Sequence, residues 1–351
     1  MLHLLTYKQR MVRFTPRMLM LPWSFAQLFT GEKSFRDNIL IGSPRLNALG
    51  LHRARVRIAH AMSARRRARL AATVEAIDRE RFDRDGVVEI RDFLPTDIFA
   101  QLRDGVMHYA GDARETVQGH TITRRYAVGP QALRQIPVLR AFRRHARWRA
   151  LARYVTGFDV EPLLYIQSIL THRHDAPPDP QVNLHADTFH PSMKAWLFLD
   201  DVDVATGPFT YVKGSHRLTA ERLDWEHRRS LTVRDESCRL SARGSLRIEA
   251  DELPGLGLPE PTAFAVPANT LVIADTFGFH ARGESAQRST RIELWAYGRR
   301  NPFRVMTGGD LWSLPGIAER RIDLRWRLRD MLSVVMGQPW AKRGIVRPGE
   351  D

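Results

Sequence analysis

The residues that could do chemistry begin in the stretch LHADTFHPSMKAW, residues 184–196. His185 and Asp187 stand two apart, and on an extended strand that spacing turns both side chains to one face while Ala186 points away. One reading is a solvated polar face; the other is a pair of ligands reaching for one ion. A third donor has to return from elsewhere, and His280 stands at the end of the apolar run LVIADTFGFH. Two imidazoles and one carboxylate on one face form the set that suits non-haem Fe(II) and leaves coordination positions open. Eleven residues later Arg291 opens the run RIELWAY. A buried arginine there can hold a carboxylate through two parallel hydrogen bonds, as the far end of a dicarboxylic 2-oxo acid requires. The plainer alternatives are a core histidine at 280, a salt-bridge arginine at 291, and Arg288 as a rival anchor. His190 directly precedes Pro191 and is read as part of a turn, not as a ligand. Asp275 and Asp200-Asp201 are read as strand ends or water-facing groups.

The elements that must position these groups follow from the rhythm of the chain. Residues 51–80 contain neither Gly nor Pro, and Val56, Ala59, Met62, Leu70, Val74 and Ile77 recur near helical spacing. This predicts one long helix or two shorter ones, basic on the outside. A turn at Asp85-Gly86 leads into a short strand, Val87–Ile90, closed by Leu94-Pro95. Thr96 is expected to cap the helix that follows. Further helical sequence runs from 131 to 156, broken at Pro137. After Gly157 the pattern is mostly β: EPLLYIQSILTHR, VNLHADTF, MKAWLFLDDV, FAVPANTLVIADTF and RIELWAY read as strands, and ATGPFTYVKGSHR turns at Gly207-Pro208. A charged helical or irregular excursion fills 218–250. Many short strands with Gly and Pro turns predict a barrel or jelly roll rather than alternating βαβ units. The expected domains are a basic helical extension (1–80), a β domain (81–304) and a C-terminal helical extension (305–351).

Composition narrows the function classes. The chain has 351 residues, 43% of them hydrophobic, enough for a substantial core. Cys238 is the one cysteine, so no intrachain disulfide forms, and a reducing, cytoplasmic compartment fits. The N-terminus lacks the block order of a signal peptide, and its most apolar stretch, 18–29, is broken by Pro22 and too short to span a bilayer. The net charge of +15 is concentrated: residues 1–70 hold fourteen Lys and Arg against Glu32 and Asp37. A basic segment with interspersed Leu, Met, Trp and Phe suits the anionic inner face of a membrane, or is simply a solvated helical face. Nucleic acid would feel the same charge, but no clustered aromatic surface for bases accompanies it.

Taken in order, these segments resemble the phytanoyl-CoA dioxygenase family of Fe(II)/2-oxoglutarate oxygenases. HADTFHPSMKAWLFLDDV is similar to the family's H-x-D strand and the strand after it. GPFTYVKGSHR resembles its G-P…P-G-(S/T)-H segment, with Lys213 where proline is common. TLVIADTFGFH followed by Arg291 matches the distal histidine and the oxoacid-binding arginine, and FDRDGVVEIRDFLP resembles the opening strand. The resemblance covers roughly residues 82–300. It implies a double-stranded β-helix (jelly roll, cupin-like, α+β) with flanking helices. It also implies His185, Asp187 and His280 as catalytic iron ligands and Arg291 as the 2-oxoglutarate anchor. Trp196, His216 and Gln167 would be further cofactor-pocket residues. The cofactors implied are Fe(II), 2-oxoglutarate and O2, with release of succinate and CO2. Asp187 keeps the carboxylate that halogenating relatives lack, which points to hydroxylation of a C–H bond. His216 stays open between a pocket role and a turn-fixing role. The substrate class expected is a small or lipid-linked organic molecule. The competing reading is a non-catalytic peripheral membrane or anionic-ligand binding protein on the same barrel.

Overall fold

In the computed structural model, residues 21–314 and 316–350 are described. Eleven strands form two antiparallel sheets: β1 (Val87–Ile90), β2 (Gly111–Gln118), β3 (Thr121–Ala127), β4 (Leu163–Leu170), β5 (Met193–Phe198), β6 (Phe209–Tyr211), β7 (Thr262–Ala263), β8 (Leu271–Asp275), β9 (His280–Arg282), β10 (Thr290–Gly298) and β11 (Ala341–Val346). The large sheet runs β1-β8-β5-β10-β4-β3-β2-β11 and the small one β7-β6-β9. This is the jelly roll the strand pattern predicts, flanked by helices.

Alternation along the central strands sorts side chains to two faces. Met193, Ala195 and Leu197 of β5 and Ile292, Leu294 and Ala296 of β10 pack into the larger core, with Leu102, Leu139, Phe142, Trp148 and Leu151 from the helices. Their neighbours in sequence point the other way. Trp196, Tyr165 and Trp295 meet Phe209, Tyr211 and Phe264 in a second core between the sheets. The register sets Trp295 opposite Trp196 on one side and Tyr165 on the other. One residue of slip would exchange the faces and move Lys194, Arg291 and Glu293 into hydrocarbon.

Several expectations change. VNLHADTF is not a strand: residues 180–182 form a 3-10 turn, and His185 makes isolated bridges to Arg247 and His280. Asp187 is nevertheless aligned beside it, because its N–H donates to Thr276 O at 2.9 Å. Thr96 is the first helical residue and Pro95 occupies the cap without a side-chain bond. The hairpin β2–β3 falls in a stretch for which the apolar pattern predicts nothing. The C-terminal segment is not wholly helical, since β11 pairs with β2 and completes the edge of the large sheet.

The basic extension also differs, and its first twenty residues lie outside those described. Residues 51–80 do form a long helix, Leu51–Leu70, and the start of a second, Ala76–Asp85. Val56 and Ala59 are buried, but Ile77 is exposed, and the arginines are not all outside. Arg55 donates to the carbonyls of Leu28, Thr30 and Glu32, and Arg66 to those of Gly157, Pro302 and Arg304. Arg67 pairs with Asp275 at 2.7 Å. These guanidinium groups act as struts against the jelly roll and are lost to any membrane surface. Asp275, read from sequence as a strand end or a water-facing group, does end β8 but is fully buried. Arg67→Met should therefore leave a buried carboxylate without its cation and destabilise the fold by about 3 kcal/mol. Urea unfolding measures this; a loss below about 1 kcal/mol, the size of a surface pair, would refute the strut.

Candidate metal centre and pocket

Two sequence-distant histidines meet through their backbones. His185 N donates to His280 O and His280 N to His185 O, both at 3.0 Å. The imidazoles are oriented by the same device: each Nδ1 meets a carbonyl two residues upstream, Asn183 O at 2.8 Å and Gly278 O at 2.9 Å. A proton held on Nδ1 leaves the Nε2 lone pair directed into the site. Both Nε2 atoms stand 3.7 Å from Asp187 Oδ1. Among the described residues this is the only cluster of its kind with donor atoms all within 4.8 Å.

Electrostatics prepare the donors. Burial, reinforced by the facing His280, holds His185 well below the usual imidazole range. Burial likewise lowers His280 to about 4, against the pull of Asp187. Burial opposes ionisation of Asp187, but Lys194 and then the two histidines hold its carboxyl well below the usual carboxylate range. At neutral pH the set is two neutral imidazoles and a carboxylate, the donor chemistry that fits a divalent transition-metal ion. Lys194 Nζ lies 2.7 Å from Asp187 Oδ2 and 3.4 Å from His280 Nε2.

The centre opens into a cavity of about 410 Å³ between the sheets, the size of a small organic ligand. A polar relay crosses its floor on three strands. Arg125 Nε donates to Gln167 Oε1 at 2.6 Å, Gln167 Nε2 to Glu293 Oε1 at 2.6 Å, and Arg291 Nε to Glu293 Oε2 at 3.0 Å. Strand register makes this relay, because Gln167 sits opposite both Arg125 and Glu293. Glu293 is fully buried and Arg291 nearly so, at 6% exposure. Arg291 also donates to Gly207 O. Arg282 pairs with Asp179. The aromatic walls are Tyr165, Trp196, Trp295, Tyr297 and Trp340.

The seven residues singled out in the sequence are not all together. His185, Asp187, His280, Arg291, Trp196 and Gln167 line this cavity; His216 does not. His216 is a correction to the pocket set. It is packed behind the sheet against Phe82, ring centroids 5.4 Å apart, and a Cβ on Gly86 would come within 2.4 Å of its Nδ1. Gly86, at φ +77°, ends the helix Ala76–Asp85 in a conformation that favours glycine, so His216 fills a turn. Arg288 is exposed and does not line the cavity, whereas Arg291 does. His190 is buried, its Nδ1 bonded to Pro191 O, outside the triad.

Lys33, Arg125, Lys194, Arg282, Glu293, Trp295 and Trp340 are pocket residues that the motifs do not reveal. Lys194 and Glu293 had a signal, since each is two positions from a residue already assigned to the pocket face. Lys33 had none. It comes from the N-terminal segment, and its ammonium donates to Asp187 O at 2.5 Å. Burial, with Arg299 next in weight, pushes Lys33 down to about 7.

Two antiparallel sheets enclosing a His-x-Asp…His cluster beside a buried arginine define the class: a jelly-roll domain with a donor set that could hold a metal ion. Residues 82–244 match the family model of phytanoyl-CoA dioxygenase (PhyH). No curated protein matches the chain. Among solved structures, the epimerase SnoN in complex with Fe3+, alpha ketoglutarate and nogalamycin RO is similar at 22% identity. The likeness covers 65% of this chain and 83% of SnoN, with a TM-score of 0.40. HygX from Streptomyces hygroscopicus, with nickel and 2-oxoglutarate bound, is 18% identical over 64% of this chain and 87% of its own, TM-score 0.43. The carbocyclase SnoK from nogalamycin biosynthesis is 20% identical, covering 65% and 84%, TM-score 0.38.

Proposed function

We propose that the protein is an Fe(II)- and 2-oxoglutarate-dependent dioxygenase that hydroxylates a C–H bond of a small or lipid-linked organic substrate. The observation that carries this reading is the convergence of His185, Asp187 and His280 with Arg291 in one cavity. Fe(II), with 2-oxoglutarate as co-substrate, would supply O2 activation, with release of succinate and CO2.

The chain's own residues set the conditions. His185, Asp187 and His280 would hold the ion through two imidazole nitrogens and one carboxylate, a set that leaves coordination positions open to ligands. Arg291, already aligned by Glu293 and Gly207 O, offers its remaining donors to the distal carboxylate of 2-oxoglutarate. Trp196, packed at a tilt on Phe209 with 4.2 Å between ring centroids, closes one wall and excludes water. Gln167 holds Glu293 in place and thereby the arginine. Lys194 lies beside the carboxylate of Asp187 and keeps it ionised.

Adding Fe(II) and 2-oxoglutarate without oxygen should produce a weak visible charge-transfer band in the intact protein. In air, 2-oxoglutarate should be converted to succinate, faster with a true substrate than without one. Isotopically labelled O2 then separates reaction types: label in the organic product supports hydroxylation, whereas labelled succinate with an unlabelled product would mean epimerisation or ring closure. A protein that forms no band would not be an oxygenase of this kind.

A further inference from the structure

Positive charge in the cavity exceeds what its own acids and the proposed ligands neutralise. Asp187 faces Lys194, Glu293 faces Arg291, and Asp179 faces Arg282. The two carboxylates of 2-oxoglutarate would balance a divalent ion. Lys33, Arg125 and Arg299 also line the cavity, and among the described residues no carboxylate pairs with any of them. Arg125 lies between aromatic rings instead, 3.7 Å from the Trp295 centroid and 4.4 Å from that of Trp340. Arg299 is exposed, whereas Lys33 and Arg125 are part-buried, where a cation without a counter-charge is costly unless an anion arrives.

Lys33 is the best placed of the three, and the protein holds it there deliberately. Its segment is fastened at two points. Arg55, from the long helix, donates to three carbonyls of residues 28–32. On the other side Arg36 N donates to Ala242 O at 2.9 Å, and Gly244, at φ +81°, lets the Lys33 carbonyl approach so closely that a Cβ would stand 2.2 Å from it. The segment lies outside the matched family region, which begins at residue 82.

We propose that the substrate is an anionic organic molecule, its phosphate or carboxylate bound by Lys33 with Arg125 and Arg299. Lys33 is then a specificity residue supplied by the N-terminal segment. Its ammonium, beside the metal-binding loop, fixes how far the anionic group lies from the reacting carbon, while Trp295 and Trp340 flank the organic body. This inference rests on the oxygenase reading, since it assumes that 2-oxoglutarate takes Arg291.

The test uses the anaerobic Fe(II)·2-oxoglutarate protein, with phenyl phosphate and phenol as probes in equilibrium dialysis. Phenyl phosphate should be held about tenfold more tightly than phenol, as one charge-assisted contact implies. Lys33→Gln should lose about that tenfold for phenyl phosphate and nothing for phenol, Lys33→Arg should retain most of it, and Arg57→Gln, at an exposed position on the long helix, should change nothing. Equal binding of the two probes to the unaltered protein, which needs no variant to fold, overturns the proposal. So does an equal loss in Lys33→Gln and Arg57→Gln, which would mean general attraction by net charge. The visible band, read on the same samples, separates the two levels. Its absence from the unaltered protein refutes the oxygenase reading, whereas its presence without discrimination between probes refutes only the anionic substrate.

Discussion

Asp187→Asn should abolish specific metal binding while leaving a folded protein. The change keeps volume and one carbonyl oxygen but removes the only anionic donor among three. The loss in Fe(II) affinity should exceed the roughly 10–100-fold that substitutions in the groups supporting a ligand cause. Succinate release should fall in proportion, and the anaerobic band should vanish. The variant has a second effect, because Lys194 stands 2.7 Å from Asp187 and loses its partner. The two side chains are 18% and 17% exposed, so the stability loss is discounted from that of a fully buried pair, to about 1–3 kcal/mol. Asp187→Asn/Lys194→Met should recover the melting temperature without recovering metal. Metal titration and thermal melting, run side by side, decide it. A single variant that still binds one Fe(II) with unchanged affinity would remove Asp187 from the site.

The second large effect is at Arg291. Arg291→Met removes the guanidinium proposed to hold the distal carboxylate of 2-oxoglutarate, and its KM should rise by about a hundredfold or more, as for a lost charge pair in a desolvated site. Arg291→Lys should repair little, since an ammonium cannot reproduce the planar fork. Glu293 is fully buried, and without Arg291 only Gln167 remains to satisfy it. Folding stability should therefore drop by about 3–5 kcal/mol. Adding Glu293→Gln separates the effects: stability should return while the KM stays high. If the KM of Arg291→Met is unchanged, the anchor lies elsewhere, and Arg125 and Arg282 on the same cavity are the next to test.

The triad was legible because its residues carry local signals. His185 and Asp187 are spaced by two, and His280 ends an apolar run that is indeed β8 and its turn into β9. Arg291 shares the alternation that buries Ile292 and Leu294 on the opposite face. The hairpin β2–β3 was not legible. Its pocket face bears Thr116, Gln118, Thr123 and Arg125. Arg114 continues that face, opposite Arg125 and buried against Asp330, and on the other face Arg124 is buried against Glu115. Neither face has the apolar stripe that marks a strand. β11 is equally silent, because AKRGIV is largely exposed and is a strand only through its bonds to β2.

By itself, then, the sequence determined which groups could bind a metal and an oxoacid, and that short alternating strands would carry them. Those properties depend on residue type and on neighbours one or two positions away. Tertiary structure decided everything that depends on distant partners. It placed His216 behind a turn, turned Arg55, Arg66 and Arg67 inward as struts, and joined Arg125, Gln167, Glu293 and Arg291 into one relay across three strands. It also carried Lys33 to the backbone of Asp187, more than 150 residues away in sequence. No local pattern encodes such a contact, because it depends on the segment that Arg55 clamps from the long helix and on a backbone bond from Arg36 to Ala242, both distant in sequence from Asp187.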